Sequence, residues 1–127
     1  MKKLTPNQRE TVRMKLKGLC AYCGNPLGGL WHVDHRLAVR RDLSDELAGK
    51  SKVTRGEDDL SNMLPACTRC NQRKGSLTVE EFRGEIRLAA KRAVAECSHV
   101  RLALDFKLLR AAKVPRVKFH FEEVWDV

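Results

Sequence analysis

The sequence predicts a small α+β fold held together by a metal. Three observations carry that reading. Two Cys-x-x-Cys pairs, Cys20/Cys23 and Cys67/Cys70, frame the middle of the chain. Short apolar alternations inside and beside that frame read as strands, and helical spacing takes over after residue 78.

Each element follows in order. Residues 6–18 form a short helix, with Pro6 in its first turn and Val12, Leu16 and Leu19 at helical spacing; Gly18 ends it. Residues 30–39 alternate as a strand. Trp31, Val33, His35 and Leu37 share one face, and His32, Asp34 and Arg36 the other. Residues 40–58 are highly charged and weakly periodic, which predicts a mobile loop. A second extended piece runs from Leu60 to Pro65. The Cys67–Cys70 turn leads into a helical turn from Asn71 that stops near Gly75. Thr78-Val79-Glu80-Glu81 is a capping box, starting a helix with Val79, Phe82, Ile86, Ala89, Ala90 and Ala93 on one stripe. Ser98 caps a further helix through Leu102, Phe106 and Leu109, which Pro115 stops. Val117–Phe121 alternates as a terminal strand.

A chain of 127 residues is short enough to be one domain, and with only 6% aromatic residues its core is modest. Small domains of this kind need a staple. Two tight thiol turns place four thiolates at the corners of a tetrahedron, the arrangement structural zinc prefers. Residues 24–66 separate the pairs, more than a simple zinc ribbon has, so a substantial element is inserted between them. The competing reading is a redox pair or unrelated core cysteines. Cys97 lies in a helical stretch without a paired thiol and reads as a small buried apolar residue. His99 and His120 read as surface residues.

The formal net charge is +9, from 25 Lys and Arg against 16 Asp and Glu. Such an excess attracts polyanions, nucleic acid first and an anionic membrane surface second. No apolar run reaches the length of a membrane span, and Met1-Lys2-Lys3-Leu4-Thr5-Pro6 is not followed by the apolar stretch of a secretory signal. The expectation is a cytoplasmic protein in a reducing setting, where cysteines serve as metal ligands or free thiols before disulfides.

One resemblance is specific. Val33-Asp34-His35, then Leu60-Ser61-Asn62-Met63-Leu64, then Cys67-Thr68-Arg69-Cys70-Asn71-Gln72-Arg73-Lys74-Gly75 resemble the HNH endonuclease motif, in an H-N-N form with Asn71 last. The match covers roughly residues 18–84, within a single domain spanning 1–127 whose C-terminal helical extension occupies 78–127. The resemblance implies a ββα-metal (His-Me finger) core with a four-cysteine zinc site and additional packing helices. It implies hydrolysis of phosphodiesters in double-stranded DNA, leaving a 5′ phosphate and a 3′ hydroxyl. The closing Val117–Glu122 run is similar to tails of phage-type HNH proteins, which implies the host cytoplasm and a phage terminase complex as a setting. Where family members often carry a Pro and a Gly-rich turn after the Asp-His pair, this chain has Arg36-Leu37-Ala38-Val39-Arg40-Arg41.

The chemistry of the matched residues is consistent with that role. Neighbouring side chains on a strand point to opposite faces, so Asp34 and His35 serve different tasks. Asp34 and Asn71 offer oxygens to one divalent cation such as Mg²⁺, Mn²⁺ or Ni²⁺. His35 is the base for the attacking water, because histidine titrates near neutral pH. Asn62 pins the backbone near His35. Lys74, Arg73 and Arg36 are the candidate phosphate contacts, with a solvated surface position the rival reading for Lys74 and Arg73. His32, on the face of Asp34, is an ordinary strand histidine or a further ligand. The rival functions are a catalytically inactive zinc-dependent DNA-binding module, which does not require Asp34, His35 and Asn71, and an accessory protein of phage DNA packaging.

Overall fold

The computed structural model describes residues 3–36, 59–113 and 116–125. Within them the chain is a mixed α+β structure with a two-stranded antiparallel sheet. It divides into two compact units, Met1–Val79 with Phe119–Val127, and Glu80–Lys118.

The first unit opens with α1 (Pro6–Met14). Its start is capped reciprocally: the Gln8 amide donates to the Thr5 hydroxyl at 3.2 Å, and the Thr5 amide to the Gln8 side chain at 3.0 Å. Val12 and Leu16 are buried, as their spacing predicts. The helix ends four residues before the expected Gly18. Lys17 (φ 57°) and Gly18 (φ 81°) turn the chain left-handed, and the Gly18 amide closes back on the Arg13 carbonyl at 3.1 Å. This turn feeds the first thiol knuckle, where the Cys20 amide bonds to the Asn25 carbonyl and Gly24 supplies a second positive φ.

β1 (Trp31–His35) pairs with β2 (Met63–Cys67) so that Trp31 faces Cys67, Val33 faces Pro65 and His35 faces Met63. Among the described residues the sheet has two strands, so Pro65, which has no amide to contribute, lies on an edge strand. The Pro65 carbonyl instead accepts the Ala21 amide at 2.8 Å and ties the knuckle to the sheet. β1 stops at His35, and the Arg36 amide turns to the Asn62 carbonyl at 2.8 Å. The expected alternation does not set its burial. Trp31 and Asp34, on opposite faces, are the buried residues. Each face has its own cover: the Arg9 guanidinium sits 4.0 Å from the Trp31 ring centroid, while Tyr22 and Lys74 close on Asp34.

Before β2, Leu60–Asn62 is a single 3-10 turn, not the start of a strand. The Asp59 carboxylate accepts the Ser61 and Asn62 amides and winds the chain there. α2 (Thr68–Lys74) follows β2 directly, starting three residues before the expected Asn71 and ending at Gly75 (φ 50°). The second thiol turn is thus a strand end joined to the first turn of a helix, and α2 packs on both strands.

The second unit holds α3 (Val79–Glu96) and α4 (Ser98–Asp105). Cys97, not Ser98, occupies the cap position of α4 and is half-buried, short of the core position expected for it. α4 ends at Asp105, before Leu109, and Lys107 then turns left-handed (φ 64°). The α3 stripe is buried at Phe82 and open to solvent at Ala89 and Ala90. Arg83 is fully buried, with its guanidinium on the Val117 carbonyl and the Glu80 carboxylate.

The expected strand at Val117–Phe121 is instead the lead into α5 (His120–Trp125), part of the first unit. The period-2 pattern does bury Phe119 and Phe121 together, their rings 6.2 Å apart and nearly parallel. A helix follows because Glu122 reaches back to accept the Phe119 amide at 2.9 Å, while the Phe119 carbonyl accepts the amides of Glu122 and Glu123. The next two amides, His120 and Phe121, leave the helix and donate to the Tyr22 and Ala21 carbonyls. The tail therefore docks on the first knuckle.

The expected mobile loop at 40–58, Leu37 and the stop at Pro115 lie outside the described residues. Among those described, no helix is long and apolar enough to cross a membrane.

Candidate metal centre and the Asp34 site

Four thiols meet at the end of the sheet where Trp31 faces Cys67. The Sγ atoms of Cys20, Cys23, Cys67 and Cys70 all lie within 4.8 Å of one another, and Cys23 and Cys67 are 3.9 Å apart. A tetrahedral zinc–thiolate shell with bonds near 2.3 Å has edges of about 3.8 Å, the scale of this cluster, which could hold a metal ion. The backbone is arranged for a charged sulfur: the Cys67 amide points at Cys20 Sγ at 3.4 Å. Cys20 is pulled down to about 4, chiefly by the hydrogen bond from Cys70, with help from the Cys67, Cys23 and Tyr22 amides. Cys70 is pushed up by giving that hydrogen bond, and Cys23 by burial. Four clustered thiols cannot all ionise unaided, and a divalent cation removes that conflict.

Asp34 sits on β1 toward the other end of the ladder, opposite Leu64. It is only 5% exposed. The Tyr22 hydroxyl donates to its Oδ2, and Lys74 Nζ lies 3.2 Å from the same oxygen. Burial holds the carboxyl above the usual carboxylate range, against the opposing pull of Lys74 and Tyr22. Tyr22 stays a protonated donor, since burial and then the charge of Asp34 push its ionisation far up.

Lys74 stands elsewhere than the sequence suggested. Whether taken as a phosphate holder or as a solvated residue, it was expected at the surface. Its side chain is fully buried, paired with Asp34 and donating to the His35 carbonyl at 2.9 Å. A lysine in the last turn of α2 points back onto the sheet because that helix packs directly on both strands.

The other candidates occupy different surroundings. His35 is half-buried at the end of β1. The Asn62 carbonyl accepts the Arg36 amide there. Asn71, on α2, lines an open groove of about 630 Å³ with Trp31, His32, Val33 and Met63, whereas Asp34 turns to Tyr22 and Lys74. Arg73 and Arg36 are exposed, and the Arg36 guanidinium lies 5.1 Å from the Phe121 ring centroid. His99 is exposed as expected; His120 is half-buried, and a Cβ added at Gly24 would meet its ring at 3.4 Å.

Sequence reasoning missed Tyr22, which joins the two regions. Its ring is held edge-on by Phe119 at 5.2 Å and Phe121 at 5.9 Å, and its neighbours Ala21 and Cys23 belong to the knuckle. The available signal was a lone tyrosine inside a thiol turn: buried, its hydroxyl needs a polar partner. No family model matches the chain, and no curated protein matches it.

Proposed function

We propose that this chain is a metal-dependent DNA endonuclease of the HNH type, built on a ββα-metal core with zinc in the four-cysteine cluster. One observation carries the reading. Asp34 and His35 close β1, the antiparallel partner β2 follows, and α2 leaves β2 at once with Asn71 on it and the cysteines at its start. That is the strand–strand–helix order the motif requires. The net charge of +9 suits a polyanionic substrate.

The residues divide the work as follows. Asp34 and Asn71 offer oxygen donors, the set a hard divalent cation takes, and that cation supplies electrostatic stabilisation of the charge building on the phosphate. Asn71 reaches this role only if its amide swings from the groove it now lines toward Asp34. His35 accepts a proton from water as the water oxygen bonds to phosphorus and the bond from phosphorus to the 3′ oxygen breaks, and the departing 3′ oxygen takes a proton from a solvent water. The products are a 5′ phosphate and a 3′ hydroxyl. Lys74 holds the end of β1 by its bond to the His35 carbonyl, and Asn62 holds the following residue. Arg36 and Arg73 remain available to phosphates. A host cytoplasm and a phage packaging complex belong to this proposal as its setting.

A second reading, a zinc-dependent DNA-binding module without cleavage, is favoured by one fact: Lys74 already neutralises Asp34. Plasmid cleavage in Mg²⁺, Mn²⁺ or Ni²⁺, with His35→Ala beside the wild type, separates the two. Cleavage lost only in the variant supports the nuclease. DNA binding without cleavage in any of the metals supports the module.

A further inference from the structure

The open groove that Asn71 lines, of about 630 Å³, lies within the first unit and joins two kinds of lining. Lys3 and Arg9 bring positive charge to it, and no carboxylate is among the described residues that line it. Leu4, Leu30 and Met63 bring apolar surface, and Leu30 is 72% exposed although it is a large apolar side chain. Asp59 lines an adjoining cavity together with Lys3 and Leu4, and its carboxylate is engaged by the Ser61 and Asn62 amides. The volume falls within the roughly 300–1,000 Å³ of sites that take small organic groups.

Arg9 is held in place for a ligand. It is an exposed residue of α1, yet its guanidinium lies 4.0 Å from the Trp31 ring centroid and its Nη2 donates to the Trp31 carbonyl at 2.7 Å. A guanidinium has further N–H donors, and among the described residues no carboxylate pairs with Arg9. A cationic fork already ordered by an aromatic ring and a carbonyl loses little freedom when it binds a phosphate.

The two linings together select the ligand. A free phosphate makes no use of the apolar surface. A duplex keeps its bases stacked inside, away from such surface. A single strand offers both parts, a backbone phosphate and an unstacked base. We propose that this groove binds single-stranded DNA, with a phosphate on Arg9 and Lys3 and the adjoining base against Leu30. The inference rests on the reading of DNA as the ligand, which the nuclease and the binding module share, and it uses neither Asp34 nor a divalent cation.

The test is fluorescence anisotropy on the full, zinc-loaded chain with no added Mg²⁺ or Mn²⁺. The probes are a short oligothymidine, an abasic strand of the same length and a duplex. Arg9→Gln should weaken oligothymidine binding about tenfold, the scale of one hydrogen bond to a charged group. The slope of log affinity against log salt should fall by about 0.7, and duplex affinity should stay near wild type. Leu30→Ser, at a solvent-exposed position, keeps the test decisive if Arg9→Gln fails to fold. It should weaken oligothymidine about fourfold, the scale of one buried methylene, and leave the abasic strand unchanged. Both variants binding oligothymidine like the wild type, with duplex binding intact, would overturn the groove and leave the DNA reading standing. Equal losses on single strand and duplex, or on oligothymidine and abasic strand in Leu30→Ser, would also overturn it. So would displacement of oligothymidine by polyglutamate as readily as by unlabelled DNA, which would make the groove a site for any polyanion. A wild type that binds none of the three probes would overturn this inference and the DNA reading together.

Discussion

The hydroxyl of Tyr22 donates to the carboxylate of Asp34, so a residue from inside the first cysteine knuckle bonds the buried acid of the strand beside it. Two regions that look separate along the chain, a staple at residues 20–23 and an acid–histidine pair at 34–35, share one buried polar contact. Damage to the knuckle therefore reaches Asp34 through its hydroxyl partner as well as through loss of the fold.

Metal removal should unfold the first unit. Zinc in four-thiolate sites contributes roughly 10–16 kcal/mol, as much as or more than the roughly 5–15 kcal/mol by which whole domains are stable. Cys20→Ser should have the same effect, since Cys20 is the fully buried member of the four. The expected outcome is one zinc per purified chain by elemental analysis, and loss of circular dichroism and protease resistance on strong chelation. Folded protein that contains no metal contradicts this.

Lys74→Met should destabilise the protein by about 3 kcal/mol, because it leaves the buried Asp34 carboxylate without its cation. Adding Asp34→Asn should restore most of that loss in urea denaturation. The pH dependence has a definite sign. Burial raises the Asp34 carboxyl in the folded state, so folding favours the protonated acid. Its contribution is complete below the unfolded value of about 3.9 and is lost as pH rises through the folded value. With no divalent cation added beyond zinc, wild-type stability should fall over that interval relative to Asp34→Asn.

Local signals were legible wherever a residue type leaves little choice. Pro6 and the buried positions 12 and 16 define α1, and paired thiols in two tight turns bring four sulfurs together. The misses have a common cause, partners distant in sequence. Lys74 reads as a surface group because nothing local shows the sheet beneath it, and nothing local shows Tyr22 bonded to Asp34. Phe119 and Phe121 alternate as in a strand, and the alternation does predict their shared burial. What makes a helix of the next residues is the Glu122 side chain and the carbonyls of Ala21 and Tyr22, about a hundred residues away along the chain. Periodicity also placed Ala89 and Ala90 on a covered face, and the structure leaves them exposed.

The docked tail should therefore matter to stability. Phe121 is fully buried between Tyr22, Phe119 and Trp125, so Phe121→Ala should cost about 3–5 kcal/mol in denaturant unfolding. Glu122→Ala removes the acceptor of the Phe119 amide and should cost about 1 kcal/mol. A Phe121→Ala protein as stable as the wild type would show that the tail does not hold the knuckle.

Binding to duplex DNA should fall steeply with salt, as counterions released by phosphate contacts drive association. Arg36 and Arg73 are exposed, and each replaced by Ala should reduce the slope of log affinity against log salt by about one. Arg36 should also cost a little stability, since its guanidinium lies over Phe121. Fluorescence anisotropy across a salt series on two unrelated duplexes gives both the slope and the expected weak sequence preference. Slopes unchanged in both variants would place the phosphate contacts elsewhere.

The decisive variant for the proposed chemistry is His35→Ala. The end of β1 is held by backbone contacts: the His35 carbonyl accepts Lys74 Nζ at 2.9 Å, and the Arg36 amide bonds to the Asn62 carbonyl. Those backbone bonds do not involve the imidazole and survive its removal. Cleavage should be lost, while zinc content, Mn²⁺ affinity and DNA affinity stay near wild type, because His35 handles the proton of water and is no ligand in this scheme. Asp34→Ala and Asn71→Ala should instead weaken Mn²⁺ binding, and excess Mn²⁺ should partly rescue their cleavage. Asn62→Ala should lower the rate with a smaller effect on the metal, and the bond from the Arg36 amide to its carbonyl survives the substitution. The measurement is a Mn²⁺ titration of plasmid cleavage for each protein, with calorimetry for the metal. Cleavage by His35→Ala at the wild-type rate would refute the base assignment and, with it, the proposed mechanism.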